Sequence, residues 1–247
     1  MSMNWFDCNC SYGKISRPAL RFAATPQALL EEMNICGIDK ALVFHGCQQI
    51  SSPVTWNPRL IEEVRGESRL SPTWAILPPS TGELLPPDLF FESMKAAGVR
   101  ALWAFPQEHR FRLDGVSFES LFKGMIERRI PLFAKQNLLD LKELLVECPD
   151  LRVVAVNQGP HSMERFLRPL LDKFPNLYLE TSGLIVDGLL EEFCERYGCE
   201  RLLFGSGFPG NPPGAALMRV AHADLDETTR MAVAGGNLTR LLGEVQL

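Results

Sequence analysis

The 247 residues are 46% hydrophobic and 22% charged, enough apolar material for a sizeable core and the balance of an ordinary globular protein. A net charge of −5 and an isoelectric point near 5.5 exclude the basic face that nucleic acid requires, and no polybasic segment is present to hold an anionic membrane. No apolar run approaches the ~20 residues that span a bilayer, and Met1–Asp7 has neither a basic n-region nor an apolar h-region, so a cytoplasmic protein is expected.

In chain order, short strand-like apolar runs alternate with segments whose apolar residues recur at helical spacing. Strands are predicted at Trp5–Ser11, Lys40–His45, Leu70–Leu77, Val99–Phe105, Leu132–Gln136, Arg152–Asn157, Leu177–Thr181 and Leu202–Gly205. Helices are predicted between them at Pro26–Cys36, Pro58–Val64, Leu89–Ala96, Phe118–Glu127, Leu138–Cys148, Met163–Phe174 and Leu184–Tyr197. Pro131, Pro149 and Pro175 stand before or near strands, where a helix has to stop. The segment Pro106–Leu113 reads as a charged loop, and Asp224–Leu247 as two short helices broken at Gly235-Gly236.

This alternation dictates parallel pairing with right-handed crossovers. Eight strands in a length near the ~250 residues of such barrels predict an α/β fold, a (β/α)8 TIM barrel. An open doubly wound sheet is the competing arrangement. No linker, repeat or charge block divides the chain, so residues 1–247 are expected to form a single domain. The seven cysteines, odd in number and scattered, read as reduced thiols. Cys8 and Cys10 stand too close for the usual zinc-ligand pair.

In such a barrel the chemistry sits at the C-terminal ends of the strands. Those ends are Asn9 and Ser11, His45, Trp74, Trp103 and Phe105, Lys135 and Gln136, Asn157 and Gln158, Glu180 and Ser182, and Ser206 and Gly207.

Read in order, several of these ends resemble the amidohydrolase superfamily, in the branch of enzymes like aminocarboxymuconate semialdehyde decarboxylase. Asp7-Cys8-Asn9-Cys10-Ser11 resembles the family's opening Asp-X-His-X-His. Pro131-Leu132-Phe133-Ala134-Lys135 is similar to its fifth strand, and Val156-Asn157-Gln158-Gly159 to a sixth that closes in His-X-Gly. Leu203-Phe204-Gly205-Ser206-Gly207-Phe208-Pro209 resembles its Gly-Ser-Asp-X-Pro ending, and Gly235-Gly236-Asn237-Leu238 its closing helix. The resemblance implies a metal held by the strand-end histidines and aspartate. Those positions carry Asn9, Ser11, Lys135, Asn157 and Gly207 here.

Amide and hydroxyl oxygens are weak zinc ligands, glycine offers none, and an ammonium repels the ion. No metal and no cofactor are therefore expected. The function predicted is a metal-independent binder of, or pseudoenzyme for, a small anionic metabolite. Lys135 supplies the positive charge, and Asn9, Ser11, His45, Trp103, Asn157, Glu180 and Ser206 are the other candidate ligand-binding residues. Two further readings of Lys135 stay open: a cation paired with Glu180 or Asp7, and a catalytic amine that forms a Schiff base. His45 faces the site or packs beside it, and His161 stands at the rim or serves only its helix. The aromatic residues Trp74, Trp103 and Phe105 are core, or line a cleft that suits a flat organic acid.

The rival expectation is a metal-dependent hydrolase or decarboxylase of a small carboxylate, with a shifted site built from His45, Cys8 or Cys10, His161 and Glu180. Ser206 and Ser182 lie in no nucleophile elbow, and no phosphate-binding loop occurs. A homodimer is a possible assembly, with no nucleic-acid or membrane partner expected.

Overall fold

The protein is described by a computed structural model that covers residues 3–14, 19, 21–135, 138–159 and 163–247. Its strands are β1 (Phe6–Tyr12), β2 (Lys40–His45), β3 (Leu70–Pro72), β4 (Trp74–Ala75), β5 (Leu102–Ala104), β6 (Leu132–Ala134), β7 (Val153–Ala155), β8 (Leu177–Glu180) and β9 (Leu202–Leu203). All pairings are parallel, running β1-β2-β3 and then β4-β5-β6-β7-β8-β9. The last strand returns to the first, for the Cys8 N–H donates to the Phe204 carbonyl at 2.9 Å, and Cys10 bridges Phe208. The result is a closed (β/α)8 barrel, with β3 and β4 sharing one strand position.

That shared position is where Leu70–Leu77 was expected as one strand. At Thr73 the ladder changes partner: the Thr73 N–H donates to the Val43 carbonyl on β2 (3.0 Å), while the Trp74 N–H turns to the Ala101 carbonyl, just before β5. Two side chains from neighbouring helices fill the gap. Asn57, on the helix Pro53–Glu63, accepts the Ala75 N–H at 2.9 Å and donates to the Ala75 carbonyl at 2.9 Å. Gln48, on Gly46–Ile50, donates to Asn57 Oδ1 (2.8 Å) and to the Thr73 carbonyl (2.9 Å). Buried peptide groups are thus paired where the strands fail to pair them.

The helix Pro26–Cys36 has the predicted bounds: Thr25 accepts the Ala28 N–H at its start, Pro26 occupies the first turn, and Leu29, Leu30 and Met33 face the core. The second predicted helix starts a turn early, at Pro53, because either proline suits a first turn and Pro58 is carried inside. One helical turn, Pro106–His109, occupies part of the expected loop, and the helix Pro213–Ala221 was not anticipated. The expected break at Gly235-Gly236 is absent. Helical turns run from Glu227 through Ala232–Gly236 to Gly243. Gly235 is there for space, since a Cβ would lie 2.4 Å from the Asn4 carbonyl oxygen.

A larger apolar cluster joins strands and outer helices, and a smaller one, including Phe6, Cys8, Leu42, Phe44, Trp103, Phe105 and Phe133, fills the barrel interior. Cys8 belongs to the inner cluster and Cys10 to the outer, although alternate strand positions normally share a face. The register irregularity between Asp7 and Cys10 makes the switch, as bulges near sites commonly re-aim side chains. No described helix is long and apolar enough to cross a membrane, and all seven cysteines are free.

Candidate functional site

At the C-terminal ends of the strands lies a cavity of about 530 Å³, within the usual range for small-molecule sites. Of the predicted residues, Asn9, Ser11, Trp103, Lys135, Asn157 and Gly207 line it, along with Phe105. Its floor is aromatic. Trp103 stacks on Phe105 (centroids 5.5 Å apart, 10° between planes) and on Phe133 (5.3 Å, 28°), with Phe44 tilted against it at 4.7 Å. The Trp103 Nε1–H is buried with no hydrogen-bond partner among the described residues, and buried indoles usually have one.

The polar wall is a chain of hydrogen bonds. Asn9 Nδ2 donates to Asn157 Oδ1 at 3.2 Å, and Ser182 Oγ lies 3.3 Å from the same oxygen. Asn157 has a left-handed backbone (φ 53°), which asparagine tolerates better than most residues. Its N–H donates to Glu180 Oε1 at 2.6 Å. Glu180 also accepts the Ser182 N–H (2.7 Å) and hydroxyl (2.7 Å), so this buried carboxylate holds the wall from behind. Asp7 does the same on the other side, accepting the N–H groups of Asn9 (3.0 Å) and Ser206 (2.9 Å). Burial raises the pKa of both carboxylates above their ordinary values, hydrogen bonds pull them back in part, and Asp7 raises Glu180 further.

Lys135 is exposed on the cavity rim. Among the described residues it makes no ion pair with Glu180 or Asp7, whose oxygens are engaged elsewhere. The Schiff-base reading needs a desolvated amine, and an exposed one does not meet that condition. Glu108 stands on the same rim, its Oε1 accepting from Gln49 Nε2 at 2.5 Å.

Three expected ligand-binding residues lie away from the cavity. His45 caps the helix Gly46–Ile50: its Nδ1 accepts the Cys47 N–H at 3.0 Å. Its ring stacks on Trp56 (4.2 Å, 11°) and meets Tyr12 edge-on. Burial lowers its pKa, partly offset by Glu63, and the ring is packed rather than open to the cavity. Ser206 is buried beneath the mouth and accepts the Phe208 N–H at 3.0 Å, fixing the turn after β9. Glu180 acts through Asn157, as described. Gln136 and His161 lie outside the described residues. Sequence reasoning missed Gln49, Gln107, Glu108 and Asn211, which reach the cavity from segments following β2, β5 and β9. Gln107 and Glu108 lie in the segment read as a charged loop, and the Pro-Gly-Asn-Pro run around Asn211 also has loop composition.

A family model described as amidohydrolase matches residues 14–243. The chain belongs to the amidohydrolase family. The match starts just past β1, the strand that carries Asn9 and Ser11. No curated protein matches the sequence significantly. Among solved structures the barrel is similar to 2,6-dihydroxybenzoate decarboxylase complexed with 2,6-dihydroxybenzoate (TM-score 0.79, 14% identity, 98% of this chain and 100% of that one). It is also similar to 5-carboxyvanillate decarboxylase from Sphingomonas paucimobilis (TM-score 0.71, 14% identity, 99% and 100%). A third is a dihydroxybenzoic acid decarboxylase from Polaromonas sp. JS666 with bound manganese and 2-nitroresorcinol (TM-score 0.76, 14% identity, 98% and 97%).

The described residues at the mouth of this amidohydrolase-family barrel offer amides, a hydroxyl and an ammonium where the resemblance implies histidines. No three His, Cys, Asp or Glu side chains among them come together as a metal site. Of the shifted site expected from His45, Cys8 or Cys10, His161 and Glu180, His161 lies outside the described residues and the described members do not come together. His45 is turned to its helix, Cys8 and Cys10 are buried in opposite clusters, and Glu180 already accepts three hydrogen bonds. Gly207 has φ 71°, where an L side chain is strained, and a Cβ would lie 2.8 Å from Asn211 Nδ2 and 3.0 Å from Ser182 Cβ. The aspartate that the resemblance implies would be strained by that backbone and would need Asn211 to shift.

Proposed function

We propose that this barrel binds a small, flat anionic organic molecule, such as an aromatic carboxylate, without a protein-held metal ion. The observation that carries the reading is the composition of the mouth cavity, where Lys135 and the Asn9–Asn157 amide pair stand above the slab formed by Trp103, Phe105 and Phe44. In this reading Lys135 contributes the charge. The Ser11 hydroxyl and an N–H of Asn157 or Asn9 donate to the carboxylate, and the unpartnered Trp103 Nε1–H is a further donor. Ring area on the slab supplies hydrophobic affinity. Glu108 on the rim selects against dianions by like-charge repulsion.

The second reading, a metal-dependent decarboxylase or hydrolase of a small carboxylate, draws on the structural likeness to decarboxylases, one of which holds manganese. Calorimetric titration with benzoate and salicylate, in chelator and then in added manganese or zinc, separates the two. The expected result is binding in chelator that weakens about tenfold or more in Lys135→Met, the scale of one charge-assisted hydrogen bond. Binding or carbon dioxide release that appears only with added metal would establish the decarboxylase instead.

A further inference from the structure

The barrel's opposite end carries a second polar cavity, of about 170 Å³, lined by Arg129, Arg152, Asn176, Asp150, Met125 and Ile126. A single water needs ~10–15 Å³, and drug-sized ligands begin at about 300 Å³. The space therefore suits an anion of a few heavy atoms. The sheet register builds the site. Arg129 precedes β6, Arg152 immediately precedes β7 and Asn176 immediately precedes β8. The Leu132 N–H donates to the Arg152 carbonyl (2.9 Å) and the Val153 N–H to the Asn176 carbonyl (3.0 Å), so the three residues stand side by side at the strands' N-terminal ends.

Two observations single the place out. Arg152 is largely buried, with 12% of its side chain exposed. Its Nη2 binds Glu244 Oε2 at 2.5 Å, yet its Nη1 is buried with no partner among the described residues. Such an orphan donor is costly. Arg129 follows the helix Glu119–Glu127 with φ 56°, closing it through an N–H bond to the Ile126 carbonyl (3.1 Å). That helix-ending position normally takes glycine, and here an arginine occupies it against the backbone preference. The cavity lining carries the two positive charges of Arg129 and Arg152 against the one negative charge of Asp150, and both guanidinium groups also approach Glu244, which lies outside the lining.

We propose that this pocket is an anion site for a phosphate-sized oxyanion, held by Arg129, Arg152 and Asn176 and separate from the mouth. Guanidinium groups present paired donors that match tetrahedral oxyanions. The ligand is free phosphate or the phosphate group of a small monoester.

The test is calorimetry of the full chain with inorganic phosphate and with glycerol 2-phosphate, at ionic strength held constant with chloride. Phosphate should bind the parent and Lys135→Met alike, and at least tenfold more weakly in Arg129→Gln and Asn176→Ala. In Arg129→Gly the backbone is relaxed, so thermal stability holds while affinity falls, separating lost binding from lost folding. Equal affinity for glycerol 2-phosphate assigns the site to monoesters, and its absence to the free ion. Binding lost in Lys135→Met but kept in Arg129→Gln would place phosphate at the mouth and overturn the proposal. No binding beyond the chloride control would overturn it as well, leaving the reading of the mouth untouched.

Discussion

Gly207 ties one residue's backbone to the chemistry of the mouth. Its left-handed conformation strains any side chain, and a Cβ would crowd Asn211 and Ser182, so Gly207→Asp should destabilise the fold by about 1–3 kcal/mol in urea unfolding. Calorimetry with manganese should show no tight site in that variant, because its nearest companions are amides and a hydroxyl. Lys135, Asn9, Ser11, Trp103 and Asn157 were legible in the sequence because a strand's C-terminal end fixes which residues face the mouth. His45 and Ser206 occupy such ends too and were misplaced. What diverts them is local hydrogen bonding, a helix cap in one case and a turn in the other, and strand position carries no record of either. Gln49 and Glu108 were illegible for the opposite reason, since they arrive from helices whose direction depends on packing.

Among the elements, the split at Thr73 is where helices substitute for a strand ladder. Asn57 pairs both the N–H and the carbonyl of Ala75 in the interior. Asn57→Ala would leave both groups without partners, while the Gln48 amide would keep only the Thr73 carbonyl. The expected loss is about 2–4 kcal/mol in urea unfolding, near the sum of two unsatisfied buried groups. A loss below about 0.5 kcal/mol would show that water replaces the side chain. The sequence marks Leu70–Leu77 as strand from its apolar character, which both halves share. Nothing in that character reports the partner change, which is made by backbone hydrogen bonds to β2 on one side of Thr73 and to the residue before β5 on the other. The closing helical segment fails to break for a similar reason: Gly235 reads as a stop, but its role is close contact with the Asn4 backbone.

For the molecule as a whole, the two buried carboxylates under the mouth set a pH signature. Asp7 and Glu180 have native pKa values raised above the ordinary 3.8 and 4.5. From those values up to the raised ones, the native state binds more protons than the unfolded chain, so their contribution to stability falls as pH rises. His45 runs the other way. Its pKa is lowered from 6.5, so its contribution is full above that value and is lost as pH falls towards the lowered one. Replacing Glu180 with Gln removes one declining contribution at the expense of a mismatch with Ser182. The stability of the variant relative to the parent should therefore improve steadily as pH rises from about 4.5, measured by urea unfolding at several pH values. A constant difference would mean that Glu180 titrates as it does in the unfolded chain. Closure of the barrel has a consequence for synthesis. The partner of the first strand is the last, through Cys8 and Phe204, so on the ribosome β1 waits with one edge bare until nearly the whole chain has emerged. A nascent chain stalled before Leu202 presents that edge to any extended neighbour, and a chaperone that shields it has its task defined by one unpaired row of peptide groups.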